Sequence, residues 1–286
     1  MFVIIGIVVV IVAVILGFTL PGGNLMLLFQ ISEFITIGGA AIGSLLIASP
    51  LSLIKKMMAA IPQTFKDHSN TKEDYIQMLK AFSNLFLIAQ REGLLAIEKH
   101  VETPDKSDIL NIATKFMHDN YRNNFFCDTM KVMLAGSVPP HELEGLMDAE
   151  IETYEKENRP IFEGLGRMGD ALPGLGIVAA VLGIIITMGA INEGAEKVGH
   201  HVAAALVGTF LGVLLAYGFV NPLSANIAHM VELKIQDLQI IKSYIIAYAK
   251  GNPPFVAAEI ARRTIFSDAR PTFQELEASL RSKRDK

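Results

Sequence analysis

Apolar residues are concentrated in two blocks of the chain, at residues 1–50 and 171–223, while charged residues fill the remainder. Within these blocks, four apolar runs approach or reach the length that a helix needs to cross a hydrocarbon core of about 30 Å. The predicted spans are residues 1–18, 34–48, 171–191 and 202–220. The pattern therefore predicts an all-α membrane protein with four transmembrane helices.

The first span is predicted to be an uncleaved anchor rather than a signal peptide. Residues 1–18 carry no charge, and they have neither a basic stretch before the apolar run nor a clear small-x-small cleavage site. The sequence Leu20-Pro21-Gly22-Gly23-Asn24 follows, and it is expected to end the helix.

Small residues mark two of the predicted spans. Gly39 and Gly43 in span two, and Gly208 and Gly212 in span four, have the GxxxG spacing. In a membrane such residues let helix backbones approach closely. We therefore expect both faces to pack tightly against neighbouring helices.

Basic residues predict the orientation in the membrane. Lys55 and Lys56 directly follow span two, whereas residues 171–223 contain a single basic residue, Lys197. The positive-inside rule then places both large polar segments and both termini in the cytoplasm. The net charge of −4 argues against nucleic acid as a partner.

The spans divide the chain into four segments: membrane segments at 1–50 and 171–223, a large cytoplasmic domain at 51–170 and a cytoplasmic tail at 224–286. Both cytoplasmic segments are expected to be helical. Apolar residues at three- and four-residue steps predict a helix from Tyr75 to about His100. Further helices are predicted at residues 140–158, with a dense acidic face, and at 225–249, after a break at Asn221-Pro222.

Motifs that carry chemistry are scarce, and the residues predict neither an enzyme nor a metal or cofactor site. His141-Glu142 begins like a zincin helix, but the second histidine of that motif is missing. The single cysteine, Cys127, is interpreted as a core residue. His200 and His201 lie at the predicted outer mouth of span four, where an interfacial role is favoured over pH sensing.

Spans three and four contain no Asp, Glu, Lys or Arg outside the loop that joins them. A proton relay through a bilayer needs an ionisable group. If the chain handles ions, we therefore expect a partner helix to bring the carboxylate. This chain is expected to supply walls of small residues, with Thr209 and the prolines Pro173 and Pro222 among them.

Two stretches of the membrane segments resemble a known family. Residues 168–183 read MGDALPGLGIVAAVLG and residues 207–219 read VGTFLGVLLAYGF. They resemble the third and fourth spans of the MotA family of flagellar motor stator proteins. The likeness covers the full chain, including ARPTFQELE at residues 269–277.

The resemblance implies an inner-membrane subunit of the bacterial flagellar motor that couples proton flow to torque. It implies that several copies of the chain surround the spans of two MotB-type partners, whose membrane aspartate carries the ion. It also implies that Pro173 and Pro222 couple ion passage to movement and that Ala180 and Thr209 line the pathway. Sodium-driven relatives place a hydroxyl where Ala180 stands, so its methyl group favours protons.

Charged residues of the cytoplasmic domain are implied by the resemblance to contact the rotor protein FliG. The matching positions are Arg91 and Glu98, with Glu150 as a weaker candidate. Seven residues apart on one helix, Arg91 and Glu98 are expected to project from nearly one face.

Two alternatives stay open on the sequence alone. A relative of ExbB or TolQ would use the same physics to energise outer-membrane processes, but such proteins usually have three spans. A transporter with its own substrate site would need a charged or broken-helix site at mid-membrane, and the sequence shows neither.

Overall fold

The computed structural model of the chain describes residues 2–67, 69–136, 138–189, 192 and 194–281. The described residues are helical and contain no strand, which confirms the predicted all-α class. The α-helices in chain order are α1 (Phe2–Thr19), α2 (Ile31–Ala48), α3 (Leu51–Ala60), α4 (Lys72–Glu92), α5 (Glu98–Glu102), α6 (Thr114–Met117), α7 (Asn120–Ala135), α8 (Pro140–Gly189), α9 (Ala195–Leu215), α10 (Asn221–Ala249), α11 (Pro254–Thr264) and α12 (Phe273–Arg281). Short 3₁₀-helices occupy Leu25–Leu28, Ile61–Phe65, Leu94–Ile97, Pro104–Lys106 and Leu110–Ala113, and a π-helix occupies Ala216–Val220.

Four helical stretches are long and apolar enough to cross a membrane, as predicted. They are Phe2–Thr19, Leu25–Ala48, Pro140–Gly189 and Ala195–Ala249. The predicted break after the first span is also confirmed, because α1 ends at Thr19 and Gly22 follows with a φ of 95°.

The third span belongs to a helix much longer than predicted. The predicted helix at residues 140–158 and the third span form one helix, α8, with Pro160 and Pro173 inside it. The predicted end of this span at residue 191 lies outside the described residues.

The predicted break at Asn221-Pro222 is wrong, because α10 begins at Asn221 directly after the π-helix. A proline has no N–H for the carbonyl four residues earlier, here that of Gly218. In the wider π turn that precedes the proline, the Asn221 N–H binds the Ala216 carbonyl, five residues earlier, in place of the usual four. The chain therefore continues as a helix through Pro222.

The chain forms two compact units. The membrane unit comprises Met1–Asp67 and Lys156–Val231, and the polar unit comprises His68–Glu155 and Glu232–Lys286. The predicted boundaries at residues 50, 170 and 223 concern where the chain leaves the membrane, and they stay predictions.

In the membrane unit, α8 and α9 meet backbone to backbone. A Cβ added at Gly212 would lie 2.6 Å from the carbonyl oxygen of Leu172, and one added at Gly176 would lie 2.7 Å from that of Gly208. The close packing predicted for Gly208 and Gly212 is thus confirmed. Gly39 and Gly43 instead have open space around the Cβ position within this chain, so close packing of this face of α2 stays a prediction.

The polar unit is built around aromatic side chains. Phe82 of α4 stacks on Phe126 of α7 with ring centroids 4.3 Å apart. Tyr244 of α10 meets Phe82 edge-on at 5.6 Å, and its hydroxyl donates a hydrogen bond of 3.1 Å to Ser83. Burying these large side chains supplies much of the hydrophobic stabilisation of the unit.

A buried ion pair also joins the helices of the polar unit. Asp237 of α10 has no exposed surface and lies 2.8 Å from the guanidinium of Arg122 in α7. The Tyr75 hydroxyl of α4 donates to the Asp237 carboxylate at 2.9 Å, and the Asn70 amide nitrogen lies 2.9 Å from each oxygen of that carboxylate. Lys234 and Asp119 form a second ion pair. Leaving a buried charge unpaired is costly, so these contacts favour the observed packing of α4, α7 and α10.

Candidate functional site

The predicted pathway residues Ala180 and Thr209 lie at the crossing of α8 and α9. Both are half-buried. The Ala180 nitrogen is 3.1 Å from the point where a Cβ of Gly208 would stand, and the Thr209 Cα is 3.3 Å from the corresponding point at Gly176. The structure therefore brings these two residues together on the tightly packed faces of the two helices.

A carboxylate that the sequence analysis did not consider reaches the same crossing. Glu33 lies in the first turn of α2 and is only 7% exposed. Its Oε2 atom is 2.5 Å from the Cβ position of Gly208. The second span was predicted to begin at residue 34, which left Glu33 just outside it. As the only charged residue between Leu25 and Ala48, it was visible in the sequence.

The two predicted coupling prolines lie beside a hydrogen bond between α8 and α10. Asn221 Nδ2 donates to Asp170 Oδ1 at 3.0 Å, three residues before Pro173 and one before Pro222. Pro173 offers no N–H to the Gly169 carbonyl, and Pro222 directly follows the π-helix that interrupts the regular α-helical hydrogen-bond pattern. Both helices therefore depart from the regular α-helical pattern at the place where a side-chain bond joins them.

The predicted rotor-contact residues do not lie on one helix. Arg91 is in the last turn of α4, which ends at Glu92, and Glu98 begins the separate helix α5. Gly93 between them has a φ of 91°, a value that favours glycine and ends the helix. The prediction that both residues project from one helical face is wrong, because the helix predicted from Tyr75 to about His100 is confirmed only as far as Glu92. Both side chains are exposed.

The remaining candidates are placed as follows. Glu150 is half-buried in α8. The rings of His200 and His201 in α9 lie 6.2 Å apart, at nearly a right angle. Cys127 is buried, donates to Asn123 Oδ1 at 3.2 Å, and has its thiol pKa raised to about 12 by burial, which fits a core residue. The described residues contain no cluster of three or more side chains suited to hold a metal.

Two family descriptions match the chain. Residues 4–93 match the N-terminal region of motility protein A, and residues 117–240 match the MotA/TolQ/ExbB proton channel family. The first match separates this chain from the ExbB and TolQ branch that the sequence left open.

Full-length relatives give the same result. Motility protein A of Salmonella typhimurium is 35% identical over 285 residues, which covers 100% of this chain and 97% of the relative. The chemotaxis protein LafT of Vibrio parahaemolyticus is 36% identical, with 95% of each chain covered. Motility protein A of Escherichia coli is 34% identical, with 99% of this chain and 96% of the relative covered.

Two solved structures share the fold. The structure of C. jejuni MotAB matches with a TM-score of 0.79 at 20% identity, covering 95% of this chain and 98% of that chain. The flagellar MotAB stator complex from Bacillus subtilis matches with a TM-score of 0.75 at 24% identity, covering 90% of this chain and 92% of that chain. The resemblance found in the sequence is confirmed, and the chain belongs to the motility protein A family, within the MotA/TolQ/ExbB proton channel group.

Proposed function

We propose that this chain is the stator subunit of a bacterial flagellar motor, which couples proton flow across the inner membrane to torque on the rotor. The observation that carries the proposal is full-length similarity, at 34–36% identity, to motility and chemotaxis proteins. Its four apolar helices fit a subunit that works in a membrane.

The ions would pass along α8 and α9, beside a helix of a MotB-type partner. The solved relatives are described as MotAB complexes, and the family resemblance implies that the partner brings an aspartate. Several copies of this chain would surround the partner helices. Protons are the proposed ion, since the methyl group of Ala180 offers no oxygen ligand for sodium.

Movement would arise where α8 and α10 depart from the regular α-helical pattern beside a proline. Pro173 and Pro222 each lack a backbone donor, and the Asp170–Asn221 hydrogen bond of 3.0 Å joins the helices beside them. A change of charge in the pathway would favour one of two arrangements of this region, because packed helices have discrete alternatives rather than a continuous range.

Arg91 and Glu98 would meet opposite charges on the rotor protein FliG, with Glu150 in a lesser role. Both of the first two side chains are exposed, which suits brief contacts that steer and orient a partner without holding it. Reversing both charges, Arg91→Glu with Glu98→Lys, should reduce torque while leaving membrane insertion intact. Unchanged torque in bead-rotation measurements would remove these residues from the rotor contact.

The orientation follows from the basic residues after the second span. Lys55 and Lys56 favour the cytoplasmic side, and both termini would then lie in the cytoplasm. A green fluorescent protein fused to the C-terminus should then fluoresce in the native bacterium. A dark fusion that is nevertheless present in the membrane would reverse the orientation.

The stator role is tested by deleting the gene in its native bacterium, in a strain without other stator genes. The expected result is intact flagella that do not rotate in tethered cells, with rotation restored by the gene on a plasmid. Normal rotation together with lost siderophore uptake would instead assign the chain to the branch that energises the outer membrane.

A further inference from the structure

The Glu33 carboxylate lies in the membrane unit without a partner that explains it. The residue is 7% exposed, and its Oε2 atom is buried and makes no hydrogen bond within the described chain. Burying an unpaired carboxylate is costly. Ionisable side chains within a span usually face an ion or proton pathway, because only a function compensates for that cost.

The carboxylate lies where α8 and α9 cross. The Cβ position of Gly208 is 2.5 Å from Glu33 Oε2, 3.1 Å from the Ala180 nitrogen and 3.2 Å from the Ala179 Cβ. A side chain at position 208 would therefore occupy the space of the carboxylate. Neither alanine nor glycine carries a titratable group, so Glu33 is the titratable residue that the described part of the chain brings to this crossing.

Glu33 also lies at one end of its span. It is in the first turn of α2, whereas Lys55 and Lys56 follow the other end of that helix in α3. A helix of 18 residues is about 27 Å long. If the lysines face the cytoplasm, Glu33 lies toward the outer side, from which ions enter.

We propose that Glu33 is a proton-relay carboxylate belonging to this chain. The proposal rests on the proposed stator function, because it requires ions to pass beside α8 and α9. The ionised carboxylate of Glu33 accepts a proton that arrives from the outer side of the membrane. The resulting carboxylic acid passes that proton to the carboxylate of the MotB-type partner and returns to the anion, so protons and charge balance over each cycle.

Under the relay, Glu33→Gln should affect stability and rotation differently, which a purely structural role would not predict. Glutamine has nearly the same size and carries no charge, so Glu33→Gln removes the cost of a buried carboxylate. Thermal stability should then stay the same or rise. A relay, in contrast, fails when the group can no longer take up and release a proton.

The test measures rotation of tethered cells that carry plasmid-borne variants in a strain without its own stator genes. The wild-type gene must restore rotation; if it does not, the stator function itself fails, whatever Glu33 does. Glu33→Gln should reduce the rotation speed to below about a tenth of the wild-type speed, because a positioned proton carrier contributes about 100-fold or more to a transfer rate. The amount of the Glu33→Gln variant in the membrane and its co-purification with the partner subunit should match those of the wild type.

Two further variants complete the design. Glu196→Gln makes the same chemical change at an exposed position in the first turn of α9 and should keep normal speed. Glu33→Asp keeps the carboxylate but shortens its reach, so rotation should persist at reduced speed. Because the slowed proton transfer then limits the motor, the fall in speed on changing from H₂O to D₂O should exceed that of the wild type.

Several outcomes would overturn the relay. One is rotation of the Glu33→Gln variant at wild-type speed. Another is a slow Glu33→Asp variant whose speed falls no more in D₂O than that of the wild type. Loss of the partner subunit from Glu33→Gln preparations would make the residue a docking contact. Sodium-dependent rotation of the wild type would exclude the proton step. If Glu33→Gln does not reach the membrane, the D₂O comparison of Glu33→Asp decides.

Discussion

Replacing Arg122 with methionine would leave the Asp237 carboxylate buried without its cation. Removing one partner of a buried ion pair costs about 3–5 kcal/mol. Asp237 would keep the Tyr75 hydroxyl and the Asn70 amide as donors, each at 2.9 Å. We therefore expect the lower end, about 3 kcal/mol, which corresponds to a fall of roughly 6–12 °C in the Tm of a domain of about 150 residues.

Tyrosine near-UV circular dichroism of the detergent-solubilised chain is a suitable assay. The chain has six tyrosines and no tryptophan, and all but Tyr217 lie in the polar unit. The matched control is Lys131→Met, which breaks an exposed pair with Asp128 and should cost less than about 1 kcal/mol.

A double variant separates the buried charge from the lost packing of Arg122. Arg122→Met with Asp237→Asn removes both charges of this pair and leaves no uncompensated carboxylate at position 237, so it should unfold at a higher temperature than Arg122→Met alone. If Arg122→Met lowers the Tm no more than Lys131→Met does, the pair does not stabilise the polar unit. Equal Tm values for the single and double variants would show that the uncompensated charge is not the cause.

Two further changes test the packing and the pH dependence. Gly212→Ala should lower the Tm of the solubilised chain by an overpacking cost of about 1–3 kcal/mol, because its Cβ would lie 2.6 Å from the Leu172 carbonyl oxygen. Gly199→Ala, with open space in the same helix, should raise it through helix propensity, and a rise in both would contradict the close crossing. Hydrogen bonds from Arg262 lower the pKa of Glu259 from 4.5 to about 2, so its stabilisation is complete above about pH 4.5 and is lost as the pH falls through 2. The Tm difference between the wild type and Glu259→Gln should therefore shrink between pH 6 and pH 2.5, and a constant difference would assign the effect to packing.

The membrane helices could be predicted because the lipid environment requires long apolar runs, which are visible in the sequence. Their continuity was harder to predict. A proline usually ends a helix in water, and Asn221-Pro222 was interpreted in that way. The π-helix Ala216–Val220 provides a different solution, and it depends on local hydrogen bonding that the apolar pattern does not contain.

In the polar unit, the apolar pattern did not reveal where helix α4 ends. Leu94 and Ile97 follow Gly93 at the spacing of a buried helical face, and both contact the core of the unit. They do so from a 3₁₀-helix, however, so the pattern continued after α4 had ended. The pairing of Arg122 with Asp237 has no local signature either, because it depends on how α7 and α10 meet.

The position of one helix end decides whether this chain contributes a carboxylate to its ion pathway. With span two beginning at residue 34, the membrane spans contained no acidic residue, and the ionisable group had to come from a partner. The structure begins α2 at Ile31, which places Glu33 inside the helix and against Gly208. The predicted and the observed start of this helix differ by three residues, and Glu33 lies between them. A second carboxylate beside the partner's would divide the proton path into two shorter transfers. The rotation speed of Glu33→Gln, measured against that of Glu196→Gln, distinguishes this arrangement from one in which the partner's carboxylate acts alone.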